Sequence, residues 1–92
     1  MASVNTRPSR ALKSRVKAAF QEAYEGQNVF VDVSSGYAGR VHVIVVGERF
    51  ERMTEEEKQK ELWRVAREGL AEDAQRISML LAYGPSDVRA IG

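Results

Sequence analysis

Hydrophobic residues near the start of the chain recur with the period of an α-helix. Ser9 precedes them and can accept a hydrogen bond from an amide of the first helical turn, which otherwise lacks a partner. Gly26 follows them, and glycine adopts the left-handed conformation that ends many helices without steric cost. The pattern therefore predicts one amphipathic helix. Its buried stripe is predicted to consist of Leu12, Val16, Ala19, Phe20 and Ala23.

From Asn28 to Val46 the hydrophobic period changes to two, which is typical of β-strands. Turn-forming residues occupy 34–39, so this stretch predicts an antiparallel hairpin. The second strand, 41–46, is apolar on both faces and is expected in the middle of a sheet, with its odd-numbered valines facing the helices. Four apolar residues are predicted to line the opposite face, which would then be either an association surface or a face covered by the N-terminal arm or the chain's own tail. These residues are Phe30, Ile44, Val46 and Leu80.

A second helix is predicted between the hairpin and a last strand. Residues 47–53 predict a short helical turn, and Thr54 followed by Glu57 matches a capping box. The last strand is predicted at Ile77–Tyr83, parallel to its neighbour because a helical crossover joins the two. The buried stripe of this helix is predicted to consist of Leu62, Val65, Ala66 and Leu70, with Trp63 at its edge.

Together these elements predict an α+β fold with the order αββααβ, in which a three-stranded mixed sheet carries both long helices on one face. A length of 92 residues allows one compact domain. We expect a flexible N-terminal arm at 1–8, a single domain at 9–88 and a C-terminal tail at 89–92.

Composition narrows the class of protein. The chain is 43% hydrophobic and 29% charged, as globular proteins are, and no apolar run approaches the roughly 20 residues of a membrane span. It contains no cysteine, which excludes disulfides and thiolate metal ligands. Because no signal-peptide pattern is present, the cytoplasm is the expected compartment.

Motifs for catalysis are lacking in the sequence. The single histidine, His42, lies between two valines of a strand, with no carboxylate or serine at a recognisable spacing. A general base needs an orienting partner. The Gly-x-x-Gly run that starts at Gly36 lies in the hairpin loop rather than before a helix, so it gives little support to a phosphate site. We therefore expect a protein that is not an enzyme and uses no cofactor.

Charge is distributed unevenly along the chain, although the net charge is only +1. The first helix is basic, whereas 48–61 holds six glutamates against four basic residues. The αββααβ order is similar to that of a type II KH domain, which clamps single-stranded nucleic acid with a glycine-rich turn between two helices. Here that turn is acidic and lacks a glycine pair. A nucleic-acid contact is therefore the alternative, less favoured function, made by Arg10, Lys13 and Lys17.

Stretches of the chain also resemble the BolA family. The loop 34–40, Ser-Ser-Gly-Tyr-Ala-Gly-Arg, the apolar strand after it and Gly47-Glu48-Arg49-Phe50 have the order and spacing of that family over roughly residues 10–88. The strand 77–83, followed by Gly84-Pro85, is similar to the family's last strand. The resemblance implies a non-enzymatic adaptor that pairs with a monothiol glutaredoxin.

The family's cysteine or histidine positions differ in this chain. They fall on Tyr37, Gln59 and Arg76, none of which is a usual metal ligand, so no metal or iron–sulfur ligation is expected from this chain. Gln59 should face the body of the domain as a structural hydrogen-bonding residue. We expect a monomer or weak homodimer. The residues expected near the partner are Tyr37, Arg40, Lys58, Gln59, Lys60 and Arg76.

Overall fold

Three helices and three strands make up the computed structural model, which describes the backbone of residues 8–91 and the side chains of residues 8–89. The elements are α1 (Arg10–Ala23), β1 (Val29–Ser35), β2 (Val41–Gly47), α2 (Glu55–Leu70), β3 (Ile77–Tyr83) and α3 (Pro85–Ile91). Short 3₁₀ segments lie at Tyr37–Gly39, Glu48–Phe50 and Ala71–Arg76. The protein is thus a small α+β fold, as predicted.

Both long helices begin where capping residues predict. The Ser9 hydroxyl accepts from the Leu12 amide at 3.0 Å and starts α1. At α2 the capping box is complete, because the Thr54 hydroxyl accepts from the Glu57 amide and the Glu57 carboxylate accepts from the Thr54 amide. Three consecutive glutamates in the first turn of α2 also interact favourably with the positive end of the helix dipole.

The sheet has the order β1-β2-β3, with β1 antiparallel and β3 parallel to β2. The middle position of β2 and the parallel pairing of β3 are both confirmed. Val41, Val43 and Val45 are fully buried beneath the helices. They meet Val16 and Phe20 of α1 and Leu62 of α2 in one hydrophobic core. The predicted helix stripes are therefore the faces that pack on the sheet, except at the end of α1, where Ala23 was predicted to be buried but is exposed.

The prediction for Leu80 was wrong. Val41 pairs with Ile77 but His42 pairs with Met79, so Ser78 is an extra, unpaired residue in β3. Such a bulge shifts the register by one residue, and a one-residue shift moves every later side chain to the other face. Leu80 therefore points into the core and is 3% exposed. On the uncovered face β3 instead presents Met79, Leu81 and Tyr83.

A third helix, α3, was not predicted and runs from the end of the predicted domain into the predicted tail at 89–92. Asp87 accepts from the Gly84 amide at 3.0 Å, and Glu51 accepts from the Ser86 amide at 3.2 Å. A Cβ atom at Gly84 would lie 2.6 Å from Glu51 Cα, so only glycine allows this close approach. A seven-residue helix is marginal by itself, and these contacts stabilise it.

The two boundaries of the N-terminal region also differ from expectation. Helix α1 ends at Ala23, before Gly26, which has a φ of +85° one turn later. Of the predicted arm, residues 1–7 lie outside the described residues and Pro8 is buried.

Candidate protein-contact site

The loop between β1 and β2 holds one aromatic side chain in solvent. Tyr37 is 86% exposed and begins the 3₁₀ turn. The next residue, Ala38, has a φ of +57°, a left-handed conformation that costs a non-glycine residue roughly 1 kcal/mol or more. At Gly36 a Cβ atom would lie 2.8 Å from the His42 ring. The loop is thus fixed in a strained, closely packed conformation, which is common at functional sites.

Two arginines fasten this loop to the start of β3. Arg40 donates from Nη1 to the Gln75 carbonyl oxygen at 3.1 Å, and Arg76 donates from Nη2 to the Gly39 carbonyl oxygen at 3.1 Å. The two bonds run in opposite directions between the same two segments. We call Tyr37, Gly39, Arg40, Gln75 and Arg76 the hairpin clasp. It brings three of the predicted partner-contact residues to one end of the sheet.

Gln59 lies apart from the hairpin clasp, at the outer edge of β3. Its side-chain Nε2 donates to the Leu80 carbonyl oxygen at 2.7 Å, and its Oε1 accepts from Trp63 Nε1 at 3.1 Å. Both ends of the amide are used, so the predicted structural hydrogen-bonding role is confirmed. Because β3 is an edge strand, the Leu80 carbonyl would otherwise need water or another strand as its partner.

Lys58 does not fit the role of a partner contact. Its side chain is buried, and Nζ lies 3.2 Å from Glu55 Oε2 and 3.6 Å from Asp87 Oδ2. The cation therefore links α2 to α3 instead of facing solvent. The sequence pattern does not predict this link between α2 and α3, because it does not predict α3. Lys60, two residues later, is exposed and lies 3.9 Å from Glu56.

A cluster that the sequence analysis missed joins the end of α1 to α2. Glu61 accepts from the Tyr24 hydroxyl at 2.7 Å and from Arg49 Nη2 at 2.6 Å, and a second bond comes from Arg49 Nε. The Arg49 guanidinium also lies over the Tyr24 ring, 5.7 Å from its centroid. Tyr24 and Glu61 are 37 positions apart, and the three residues meet because the end of α1, the 3₁₀ turn Glu48–Phe50 and α2 pack together.

The chemistry of this cluster opposes catalysis. Hydrogen bonds from Arg49 hold the pKa of Glu61 below its usual value, and burial followed by the bond to Glu61 raises the pKa of Tyr24. A carboxylate with a lowered pKa is a weak base, and a phenol with a raised pKa is a weak acid. An open cleft of about 440 Å³ adjoins the cluster between α1 and α2. We interpret the cluster as a clamp between helices.

His42 lies half-buried in β2, next to Gly36 and Ser78. Within the described residues no group of three or more histidine, aspartate or glutamate side chains is placed to hold a metal ion. No helix in that part of the chain has the length and apolar character needed to cross a membrane.

The predicted nucleic-acid residues lie on one side of α1. Arg10 and Lys17 are exposed and Lys13 is half-buried. Their spacing of three and four residues places them in one row, which we call the basic stripe. No family model, curated protein or solved structure matches this chain. The resemblance to the BolA family therefore stays a prediction from the residues quoted above.

Proposed function

We propose that this protein is a non-enzymatic adaptor that binds another protein through the hairpin clasp. The observation that carries the proposal is the 86% exposure of Tyr37 on a loop that two arginine bonds hold in place. Tyrosine and arginine are the residues most enriched where binding energy is concentrated in protein interfaces. A loop that is fixed before binding loses little conformational entropy when a partner docks.

The proposed partner is a monothiol glutaredoxin, which the resemblance to BolA proteins implies, and the proposed compartment is the cytoplasm. Tyr37, Arg40 and Arg76 would supply contacts from the hairpin clasp, and Lys60 would supply one from α2. Gln59 would not become a cluster ligand, because both ends of its amide already form hydrogen bonds. Any iron–sulfur cluster would therefore be held by the glutaredoxin without a ligand from Gln59.

The test is a titration of ¹⁵N-labelled protein with a monothiol glutaredoxin, with and without its cluster. We expect the amide signals of 36–40 and 75–76 to shift in both cases. Tyr37→Ala should weaken binding by about tenfold or more, which corresponds to about 1.4 kcal/mol. The matched control is Phe30→Ala, which removes another exposed aromatic ring outside the hairpin clasp. Unshifted signals in the hairpin clasp, or equal losses in the two variants, would contradict the proposal.

A KH-like contact between nucleic acid and the basic stripe is the weaker proposal. It is supported by the exposure of Arg10 and Lys17. It is opposed by Glu51 and by the three glutamates that begin α2, which occupy the turn where a KH domain holds phosphates. Binding of single-stranded oligonucleotide should fall steeply with salt and disappear when the stripe is neutralised. An oligonucleotide affinity that does not change with salt concentration would contradict this alternative.

A further inference from the structure

One edge of the sheet is open. Strand β1 pairs only with β2, and none of residues 8–91 pairs with its other side. The Gly36 amide donates to the Arg40 carbonyl at 2.7 Å and so marks a hydrogen-bonded pair at the hairpin end. In antiparallel strands such pairs alternate with pairs whose backbone groups point outward. The backbone groups of Val29, Val31 and Val33 therefore face the open edge.

The basic stripe flanks this same edge. Helix α1 packs on β1, while Arg15 pairs with Asp73 and Ala19 lies against Gly69 on the side of α2. Lys13 and Lys17 are each two residues from Arg15, which places them about 160° around the helix axis from it. They consequently lie on the side of α1 that faces away from α2, above the outer side of β1.

The charges of the basic stripe are not neutralised by neighbours in the described part of the chain. The ion pairs formed there involve Arg15, Arg49, Lys58, Lys60 and Arg64 as cations, and none involves Arg10, Lys13 or Lys17. Helix α1 has no acidic residue before Glu22. A positive, unpaired row thus runs beside unpaired backbone donors and acceptors.

On the uncovered face, β1 presents one apolar side chain, Phe30, followed by Asp32 and Ser34. Phe30 is 63% exposed, and its neighbours across the sheet are Val46 and Tyr83. Asp32, the next residue of β1 on that face, would repel a second carboxylate. A strand added beside β1 would point alternate side chains to the two faces. Carboxylates on the helix side would meet the basic stripe, and apolar side chains on the other side would extend the row that contains Phe30.

We propose that the β1 edge binds an extended peptide of alternating acidic and apolar residues, which joins the sheet as a fourth strand. This surface is separate from the hairpin clasp, so the inference goes beyond the proposed function. Backbone hydrogen bonds would provide affinity, and the two faces would select the peptide sequence. Single-stranded nucleic acid could use the charges but could not continue the strand ladder of Val31 and Val33.

A second copy of the chain fits this edge less well. A two-fold pairing of β1 with β1 would place both α1 helices on the same face of a joined sheet. The two basic stripes would then face each other, and opposed like charges disfavour association. The same charges attract an acidic peptide, so charge complementarity selects the peptide over the second copy.

The direct test uses the full chain, labelled with ¹⁵N, and a blocked octapeptide, Thr-Glu-Val-Glu-Val-Glu-Val-Thr. We expect the signals of Val29, Val31 and Val33 to shift, and the amide exchange of these residues to slow when the peptide is bound. The control peptide, Thr-Glu-Glu-Glu-Val-Val-Val-Thr, has the same composition without alternation. Equal binding of both peptides, or binding of oligothymidylate without binding of the alternating peptide, would overturn the proposal.

A proline variant separates the strand ladder from other contacts. Val33→Pro removes an amide that faces the open edge and leaves the hydrogen bonds to β2, so an edge strand can tolerate it. We expect Val33→Pro to weaken peptide binding about tenfold, and Val33→Ala, which keeps the amide, to change it by less than about threefold. Equal affinity of the proline and alanine variants would contradict strand addition.

A charge variant keeps the test decisive if the proline variant does not fold. Lys13→Glu with Lys17→Glu changes two surface charges and should weaken peptide binding about tenfold. Arg52→Glu with Arg67→Glu, which reverses two exposed cations outside the basic stripe, is the matched control and should have little effect. Sedimentation of the protein without peptide tests whether two copies pair through the β1 edge. Self-association that Val33→Pro abolishes would show that the edge forms a dimer and would contradict the peptide proposal.

Discussion

The two sides of this molecule satisfy their polar groups in different ways. On the side of α2 and β3, Gln59 occupies the strand edge, Lys58 bridges to α3, and Glu61 holds Tyr24 and Arg49. On the side of α1 and β1, the strand edge is unpaired among residues 8–91, and Arg10, Lys13 and Lys17 form no ion pair there. Polar contacts between elements are therefore concentrated around α2, whereas backbone groups and cations without a partner among the described residues are concentrated along β1.

The largest expected effect is loss of the Glu61 clamp. The Glu61 side chain is 9% exposed and accepts two bonds from a cation and one from a hydroxyl. Glu61→Ala should lower the free energy of unfolding by about 3 kcal/mol at pH 7, because it leaves Arg49 and Tyr24 without their partner. Glu68→Ala, on the same helix in an exposed ion pair, should cost less than about 1 kcal/mol. Urea unfolding of both variants measures the difference.

The stability lost in Glu61→Ala should depend on pH, because it depends on the charge of the Glu61 carboxylate. The pKa of Glu61 is lowered in the folded protein, chiefly by Arg49, so its contribution is complete above the unfolded value of about 4.3 and is lost as the pH falls through the folded value. The difference between wild type and Glu61→Ala should therefore shrink in acid. A difference that stays constant from pH 7 to about pH 3 would show that the carboxylate charge is not what stabilises the clamp.

The next effect is at the β3 edge. Gln59→Ala removes the partners of the Leu80 carbonyl and the Trp63 indole, so it should lower the free energy of unfolding by about 2 kcal/mol. Alanine favours helices more than glutamine does, so helix propensity cannot explain a loss. Gln21→Ala on the exposed side of α1 is the control and should change stability by less than about 0.5 kcal/mol. Equal values for the two variants would mean that the edge does not depend on Gln59.

Neutralising the basic stripe should have the smallest effect on stability of the predictions made here, but it should change self-association. Lys13→Gln with Lys17→Gln should change the free energy of unfolding by less than about 0.5 kcal/mol, since the two cations form no ion pairs in the described part of the chain. It should, however, increase self-association, because charged side chains beside an edge strand oppose pairing between copies. Sedimentation velocity of this variant and of Lys60→Gln with Arg64→Gln tests this. If neither variant sediments differently from the wild type, Lys13 and Lys17 do not prevent pairing between copies.

Much of the fold could be read from local sequence patterns. The period of two in 28–46, the capping box at Thr54 and the helical stripes each depend on residues close together in the chain, and each is confirmed apart from Ala23, which is exposed. The register of β3 could not be read in this way. The bulge at Ser78 places both Ile77 and Leu80 in the core, and it reversed the expected orientation of Leu80.

The candidate site was predictable only in part. The loop 34–40 was recognisable from its glycines, and Gln59 from its alignment with Leu62 and Ala66 on one face of α2. The pairing of Arg40 and Arg76 with carbonyls of the opposite segment was not, because it depends on two loops separated by more than thirty residues. The burial of Lys58 likewise required α3, whose seven residues carry too weak a local signal.

The sequence by itself determined the two long helices, the three strands and most of their apolar faces, because these properties depend on side chains a few positions apart. Only the tertiary structure decided which polar groups find partners. The side chains of Gln59 and Glu61 form hydrogen bonds with residues 12 to 37 positions away, such as Leu80, Arg49 and Tyr24. In contrast, Lys13, Lys17 and the outward backbone groups of β1 have no partner within the described residues. Side-chain periodicity is a local property, but the pairing of charges and backbone groups depends on the whole packed arrangement.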